Sequence, residues 1–112
     1  MLLLIGFPEE EIELLQRSVE EEIYPVSDEL ANSLLEDIIR ERKRTTYRRF
    51  GEQRIVIMHN VPKEKIGETI KGIRAIIREH IIFATSTHTS LKWQLYKLVE
   101  ELLEEDEYFR SK

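Results

Sequence analysis

Gly6 and five polar residues follow three apolar runs of this chain, and residues of these types can take part in binding or catalysis. They are Gly6, His59, Asn60, Thr85, Ser86 and His88. Imidazole and hydroxyl groups serve as metal ligands, bases and nucleophiles, and a glycine lets a backbone approach a ligand closely. The six residues therefore form a candidate ligand-binding site, provided that the fold brings them together.

A hydrolase interpretation pairs Ser86 or Ser27 with a histidine that Asp28 orients, because a hydroxyl needs an adjacent base to attack at neutral pH. A metal interpretation takes His59, His88 and Asp28 as ligands, but they have no characteristic ligand spacing. No G-x-S-x-G motif is present, and the same serines are good helix caps. We therefore predict no catalytic residue and no metal site, and we interpret the serines as caps.

Charge is concentrated in one segment, residues 40–54 (RERKRTTYRRFGEQR), which carries seven basic and two acidic residues. Residues 1–39 carry one basic and eleven acidic residues, so the basic segment follows a strongly acidic one. Basic side chains interleaved with Tyr47 and Phe50 could grip phosphates and stack bases. The candidate anion-binding residues are Arg40, Arg42, Lys43, Arg44, Arg48 and Arg49. The alternative is that these cations pair with acids of the same fold or of a second copy.

The elements that must position these groups alternate along the chain. Apolar and β-branched runs predict four strands at residues 1–7, 23–26, 54–59 and 81–85. A helical spacing of apolar residues follows each strand, opened by Pro8, Ser27, Pro62 and a Ser/Thr/His run. The order of elements is therefore strand, helix, strand, helix, repeated once.

The two halves of the chain resemble each other in sequence. LLLIGFPEEEI aligns with VIMHNVPKEKI at an offset of 54, and IYPVS aligns with IFATS at an offset of 59. We interpret this as a duplicated βαβα unit, at residues 1–39 and 55–107, joined by the basic connector 40–54 within a single domain, 1–112. Chance similarity remains the alternative, because an apolar strand followed by Pro and Glu is a common helix entry.

Alternating strands and helices predict an α/β fold of three layers, with a parallel sheet of four strands between helices. A two-fold axis along the strands gives the order 2-1-3-4, with helices one and four on one face and helices two and three on the other. The switch point then lies between strands one and three, where open parallel sheets bind ligands. On this topology the polar residues gather along one end of the sheet.

Composition limits the class of protein. The chain has no cysteine, so disulfides and thiolate sites are excluded. It also has no glycine-rich phosphate loop, and we predict no bound cofactor. No apolar run is long enough to cross a bilayer and no secretion signal is present, so we expect a cytoplasmic protein without membrane contact. Abundant Glu, Lys, Arg and Ile is the bias of proteins from hot-growing organisms.

The openings GFPEEEIELL and NVPKEKIGETI and the ending FATSTHTSLKWQLYKLVEELLEE resemble a small, numbered domain-of-unknown-function family of prokaryotic proteins. The similarity is best over residues 55–105 and is carried by Thr85, Trp93, Leu95 and Leu98. The resemblance implies a small α/β domain and no established activity.

We predict from these observations a noncatalytic interaction or regulatory module that associates with itself as a homodimer. The first alternative is a binder of nucleic acid or phosphorylated ligands that uses Arg40 to Arg54. The second is a small hydrolase at the carboxyl ends of the strands, built on His59, Asn60 and His88.

Overall fold

The computed structural model describes residues 1–111. The strands are β1 (Leu2–Ile5), β2 (Ile23–Pro25), β3 (Arg54–Met58) and β4 (Ile81–Thr85). The helices are α1 (Glu9–Ser18), α2 (Leu35–Glu41), α3 (Lys63–Ile76), α4 (His88–Leu91) and α5 (Leu95–Arg110), with a 3₁₀ turn at Asp28–Leu30. Each of the predicted second and fourth helices is thus split into a short turn and a longer helix.

The sheet has the predicted strand order, β2-β1-β3-β4. The β1–β2 and β3–β4 pairs are parallel, but β1 and β3 are antiparallel, with Leu2 opposite Met58 and Ile5 opposite Ile55. The prediction of an all-parallel sheet is therefore wrong. Each half forms its own parallel βαβ pair, and the two halves meet in opposite directions at the centre.

The helices also lie differently from the prediction. One apolar core contains residues of α1 and α3 under the side chains of Leu2 and Leu4, and the other contains residues of α2 and α5 under Leu3 and Ile5. The equivalent helices of the two halves therefore share a face of the sheet. This follows from a pseudo-two-fold axis perpendicular to the sheet, whereas the predicted axis along the strands would have placed them on opposite faces.

Several pairs of equivalent positions support this axis. Gly6 and Asn60, at an offset of 54, both have a positive φ, 76° and 56°. In the later part of each half the structural offset is 60 and not 59, because Leu4 pairs with Pro25 where Met58 pairs with Thr85. The second half therefore has six additional residues before its second strand.

The two halves also exchange backbone hydrogen bonds at the same offset of 60. The Leu35 amide donates to the Trp93 carbonyl, and the Leu95 amide donates to the Ser33 carbonyl, both at 2.9 Å. Since these amides begin α2 and α5, each helix start is satisfied by the other half.

Candidate functional site

The polar residues predicted to gather at one end of the sheet lie at two opposite ends. Because β1 and β3 are antiparallel, Gly6 lies beyond Ile5 at the end where β3 begins, whereas His59 pairs with Met1 at the other end. We call the carboxyl ends of β1 and β2 the first rim and those of β3 and β4 the second rim. The prediction of a single ligand site that includes both Gly6 and His59 is wrong for this geometric reason.

The first rim is covered by part of the basic segment. The Ser27 hydroxyl donates to the Thr46 carbonyl and accepts from the Arg48 amide, and the Asp28 amide donates to the Arg48 carbonyl. Ser27 is completely buried and makes no capping bond, so its interpretation as a helix cap is wrong. Its side chain instead anchors the chain that crosses the rim.

Two further contacts bring this segment over β1. The Tyr47 hydroxyl donates to the Phe7 carbonyl, and Arg49 Nε donates to the Gly6 carbonyl at 2.8 Å. A Cβ added to Gly6 would overlap the backbone carbonyl of Gln53. Glycine is therefore needed at the first rim for close packing against the connector.

Upstream of the rim the basic segment passes beside β2. The Arg42 guanidinium donates to both carboxylate oxygens of Glu22, at 3.0 and 2.7 Å. The Tyr24 hydroxyl donates to the Lys43 carbonyl at 2.6 Å. We call residues 42–50 the strap. Its contacts run in order from Glu22, before β2, to Ser27, after it.

Most candidate anion-binding side chains make contacts within the chain. Arg40, Lys43 and Arg48 lie within 4 Å of Asp37, Glu41 and Asp28, respectively. Arg54, at the end of the basic segment, pairs with Glu11 at 2.6 and 2.9 Å, and both side chains are only 16% exposed. Arg44 makes no ion pair within residues 1–111.

The second rim contains the histidine and the hydroxyls. His59 Nδ1 lies 2.8 Å from the Ser86 hydroxyl, and the Met1 amino group donates to the His59 carbonyl. Burial lowers the pKa of His59 below its ordinary value of 6.5, and the positive charges of the amino terminus and Arg42 lower it further. His59 is therefore a weaker base than an ordinary histidine, and its Nδ1 can donate to or accept from the Ser86 hydroxyl.

The carboxylate that the hydrolase interpretation requires, that of Asp28, does not lie on the second rim. Asp28 lies on the first rim beside Arg48, so it cannot orient His59. Thr87 caps α4 through reciprocal bonds with Ser90, which accounts for part of the Ser/Thr run. Within residues 1–111 no group of three or more His, Asp or Glu side chains could hold a metal ion.

The two lateral edges of the sheet differ. The Ser86 amide bonds inward to the Met58 carbonyl, so the alternation of a strand directs the peptide groups of Phe83 and Thr85 outward. At the other edge the Val26 amide bonds inward to the Leu4 carbonyl. The same alternation therefore directs the backbone of Pro25 outward. Pro25 has no N–H and the strap runs beside it, so the β2 edge is blocked while the β4 edge is open.

A groove lies along the open edge; α5 lines it on one face of the sheet, and Ile70 of α3 and Phe83 line it on the other. It has a volume of about 520 Å³, and its residues include Ala84, Ser90, Trp93, Leu98 and Glu101. The residues at an offset of 60 in the first half line a cavity of about 10 Å³; they are Tyr24, Leu30, Ser33, Ile38 and Glu41. The same position in the fold is therefore nearly filled in one half and open in the other.

Tyr24 accounts for much of this difference. Its ring packs against the core between β2 and α2, and its hydroxyl holds the Lys43 carbonyl. Burial raises the pKa of Tyr24, so the hydroxyl stays protonated and remains a donor. The equivalent residue, Ala84, is smaller and lines the open groove.

Ala84, Glu101 and Glu105, which line the open groove, are not among the site residues predicted from the sequence. The signal that could have found them is the repeat itself. Aligned at an offset of 60, the small Ala84 stands opposite Tyr24, and no basic strap stands opposite residues 42–50.

The family model described as "Domain of unknown function (DUF3783)" matches residues 54–109. No curated protein and no solved structure gave a significant match. Across residues 1–111 no helix has the length and apolar character needed to cross a membrane.

The matched residues extend from the start of β3 to α5 and so contain the whole second half, with its open edge and groove. The match covers half of the chain, and it agrees with the resemblance carried by Thr85, Trp93, Leu95 and Leu98. The chain therefore belongs to the DUF3783 family.

Proposed function

We propose that this protein is a noncatalytic interaction module that binds an extended segment of a partner protein along the β4 edge. The observation that carries the proposal is the row of outward peptide groups at Phe83 and Thr85, next to an open groove. Such an edge accepts an added strand through backbone hydrogen bonds, while the groove supplies selectivity for side chains.

The rest of the molecule supports a binding role over a catalytic one. Ser86 and His59 form a pair without an orienting carboxylate from Asp28, because Asp28 lies on the opposite rim. The hydrolase interpretation consequently ranks below the interaction module.

Contacts of the basic segment favour a structural role for it. Arg42, Arg48 and Arg54 each lie beside a carboxylate of the first half, so their charge is already compensated. Binding of nucleic acid or phosphorylated ligands stays a prediction. We expect the triple variant Arg44→Ala, Arg48→Ala and Arg49→Ala to leave retention on immobilised nucleic acid unchanged, and a large loss of retention would favour the alternative.

The test of the interaction module is selection from a displayed library of random peptides, with wild type and Thr85→Pro as targets. The substitution places a proline where the equivalent residue is Pro25, and the lost N–H faces outward, so the sheet keeps its own bonds. We expect wild type to enrich peptides that Thr85→Pro does not retain.

Circular dichroism and thermal unfolding establish that Thr85→Pro is folded, and Ala84→Tyr serves as a second blocking variant if it is not. Failure to enrich any peptide, or equal retention by wild type and the blocking variants, would overturn the proposal.

Self-association through the same edge is a second candidate, because an unpaired strand also pairs with its own copy. A two-fold pairing of β4 strands would place both α5 helices on the same face, with Glu101 and Glu105 near their own copies. We therefore expect any dimer to strengthen with added salt. Sedimentation velocity over a range of salt concentrations tests this, and a monomer under all conditions would exclude it.

A further inference from the structure

We propose that the groove beside β4 takes a basic, extended protein segment that carries an aromatic side chain, a ligand that would supply what the strap and Tyr24 together supply in the first half. This rests on the proposed function, because the segment would bind as an added strand at the β4 edge.

The first half shows how such a segment binds. The strap lies beside β2, where Arg42 pairs with Glu22 and the Lys43 carbonyl accepts from Tyr24. It then continues to Ser27, where Thr46 and Arg48 are held through their backbone atoms. An edge strand, a basic chain and an aromatic ring thus form one unit.

The second half has the equivalent edge and the equivalent volume without either occupant. Ala84 stands where Tyr24 stands in the first half, and the volume beside it is about 520 Å³ instead of about 10 Å³. Trp93, Leu98 and Leu102 give this groove apolar walls. An aromatic side chain of a bound segment would occupy the space that Tyr24 fills in the first half.

The charge of the groove selects a basic segment. Glu101 and Glu105 line it from α5, and within residues 1–111 neither makes an ion pair. In the first half, by contrast, the residue equivalent to Glu101 is Glu41, and it already lies 3.6 Å from Lys43 of the strap. Lys or Arg side chains of the incoming segment would neutralise Glu101 and Glu105 as the strap neutralises the acids of the first half.

A second copy of the chain fits this groove less well. Edge-to-edge pairing would bring acidic α5 side chains together, and the strap of the second copy is already held by Tyr24 and Ser27. The geometry therefore points to a segment of another protein.

The test uses a fluorescently labelled peptide with the sequence of residues 40–50, RERKRTTYRRF, as the probe. Its anisotropy is measured against wild type, Ala84→Tyr and the double variant Glu101→Arg with Glu105→Arg. The control is Glu64→Arg with Glu68→Arg, which has the same spacing on the exposed side of α3, away from β4.

We expect wild type and the α3 control to bind the peptide alike, with an affinity that falls as salt is added. Ala84→Tyr and the α5 double variant should each weaken binding by about tenfold or more. A peptide in which every Arg and Lys is replaced by Gln should bind no better than background.

Three results would overturn the inference. They are no binding to wild type at about 1 mM protein, equal loss of binding in the α3 control and the α5 variant, and unchanged binding to Ala84→Tyr. Each is distinguishable from failure of the proposed function, because the library selection could still enrich peptides that depend on Thr85 but are acidic or uncharged.

Discussion

The first and second halves of this molecule have the same arrangement of strands and helices. They differ in whether the outer edge of the strand pair is covered by other parts of the chain. In the first half Tyr24 fills the space between strand and helix, Pro25 removes an outward donor, and the strap covers the rim. In the second half Ala84 and Thr85 occupy the equivalent positions, and the edge stays open. The difference teaches that the first half is closed at its edge and rim, whereas the second half keeps an edge and a groove accessible.

The largest expected effect comes from the equivalent residues Gly6 and Asn60. Both have positive φ, but only at Gly6 would a Cβ overlap the Gln53 carbonyl. We expect Gly6→Ala to destabilise the fold by about 3 kcal/mol or more. Asn60→Ala should cost only about 1 kcal/mol, the ordinary penalty of a left-handed backbone. Urea unfolding measures both, and equal losses would contradict the view that only the first rim is closely packed.

The next largest effect concerns the ion pairs that link the basic segment to the first half. Glu11→Gln leaves the Arg54 guanidinium, 16% exposed, without its carboxylate, and we expect a loss of about 2 to 3 kcal/mol. Glu22→Gln removes a partner of the exposed Arg42 and should cost less than about 1 kcal/mol. Comparing the free energies of unfolding checks both values, and a larger loss for Glu22→Gln would show that the strap depends mainly on its first contact.

A smaller effect is expected from opening the closed half. Tyr24→Ala removes a half-buried ring and the hydrogen bond to Lys43, which should cost about 1 to 2 kcal/mol. It should also speed amide hydrogen exchange in the strap, most clearly at Arg48, whose amide is bonded to Ser27. Ala84→Tyr, the reverse change, should alter stability little. Unchanged exchange in Tyr24→Ala would mean that the rim contacts alone hold the strap.

The smallest effect is a pH dependence at the second rim. The folded state lowers the pKa of His59 below its unfolded value of 6.5, so the unfolded chain binds more protons as the pH falls through this range. Stability should therefore decrease as the pH is lowered from about 7.5 to about 5.5, and His59→Gln should reduce this dependence. An unchanged slope in His59→Gln would assign the effect to other groups.

Much of the fold follows from the sequence, because strands, helices and strand order depend on local apolar patterns. The direction of β3 relative to β1 does not, since it depends on how the connector returns the chain. The strand Leu2–Ile5 is short and buried on both faces, so its residues do not alternate between polar and apolar. Such a strand gives no sign of whether its neighbour is parallel or antiparallel.

The site was less predictable for the same reason. His59 and Ser86 were identified by residue type and do meet, because both follow strands of one parallel pair. Gly6 was assigned to the same place only through the wrong direction of β3. Ala84 and Thr85 stand out only when they are compared with the equivalent residues Tyr24 and Pro25. That comparison requires the offset of 60, which only the structure gives.

The reciprocal bonds from Leu35 to Trp93 and from Leu95 to Ser33 have the symmetry of a cyclic dimer joined into one polypeptide. The amide that begins each of these helices donates to a carbonyl of the other half. Each half therefore depends on the other for a hydrogen-bond acceptor. The half-length span of the family match, residues 54–109, has the size of one subunit of such an assembly. Because the two halves lie in one chain, their sequences need not be identical, so one half can be covered while the other keeps an open edge.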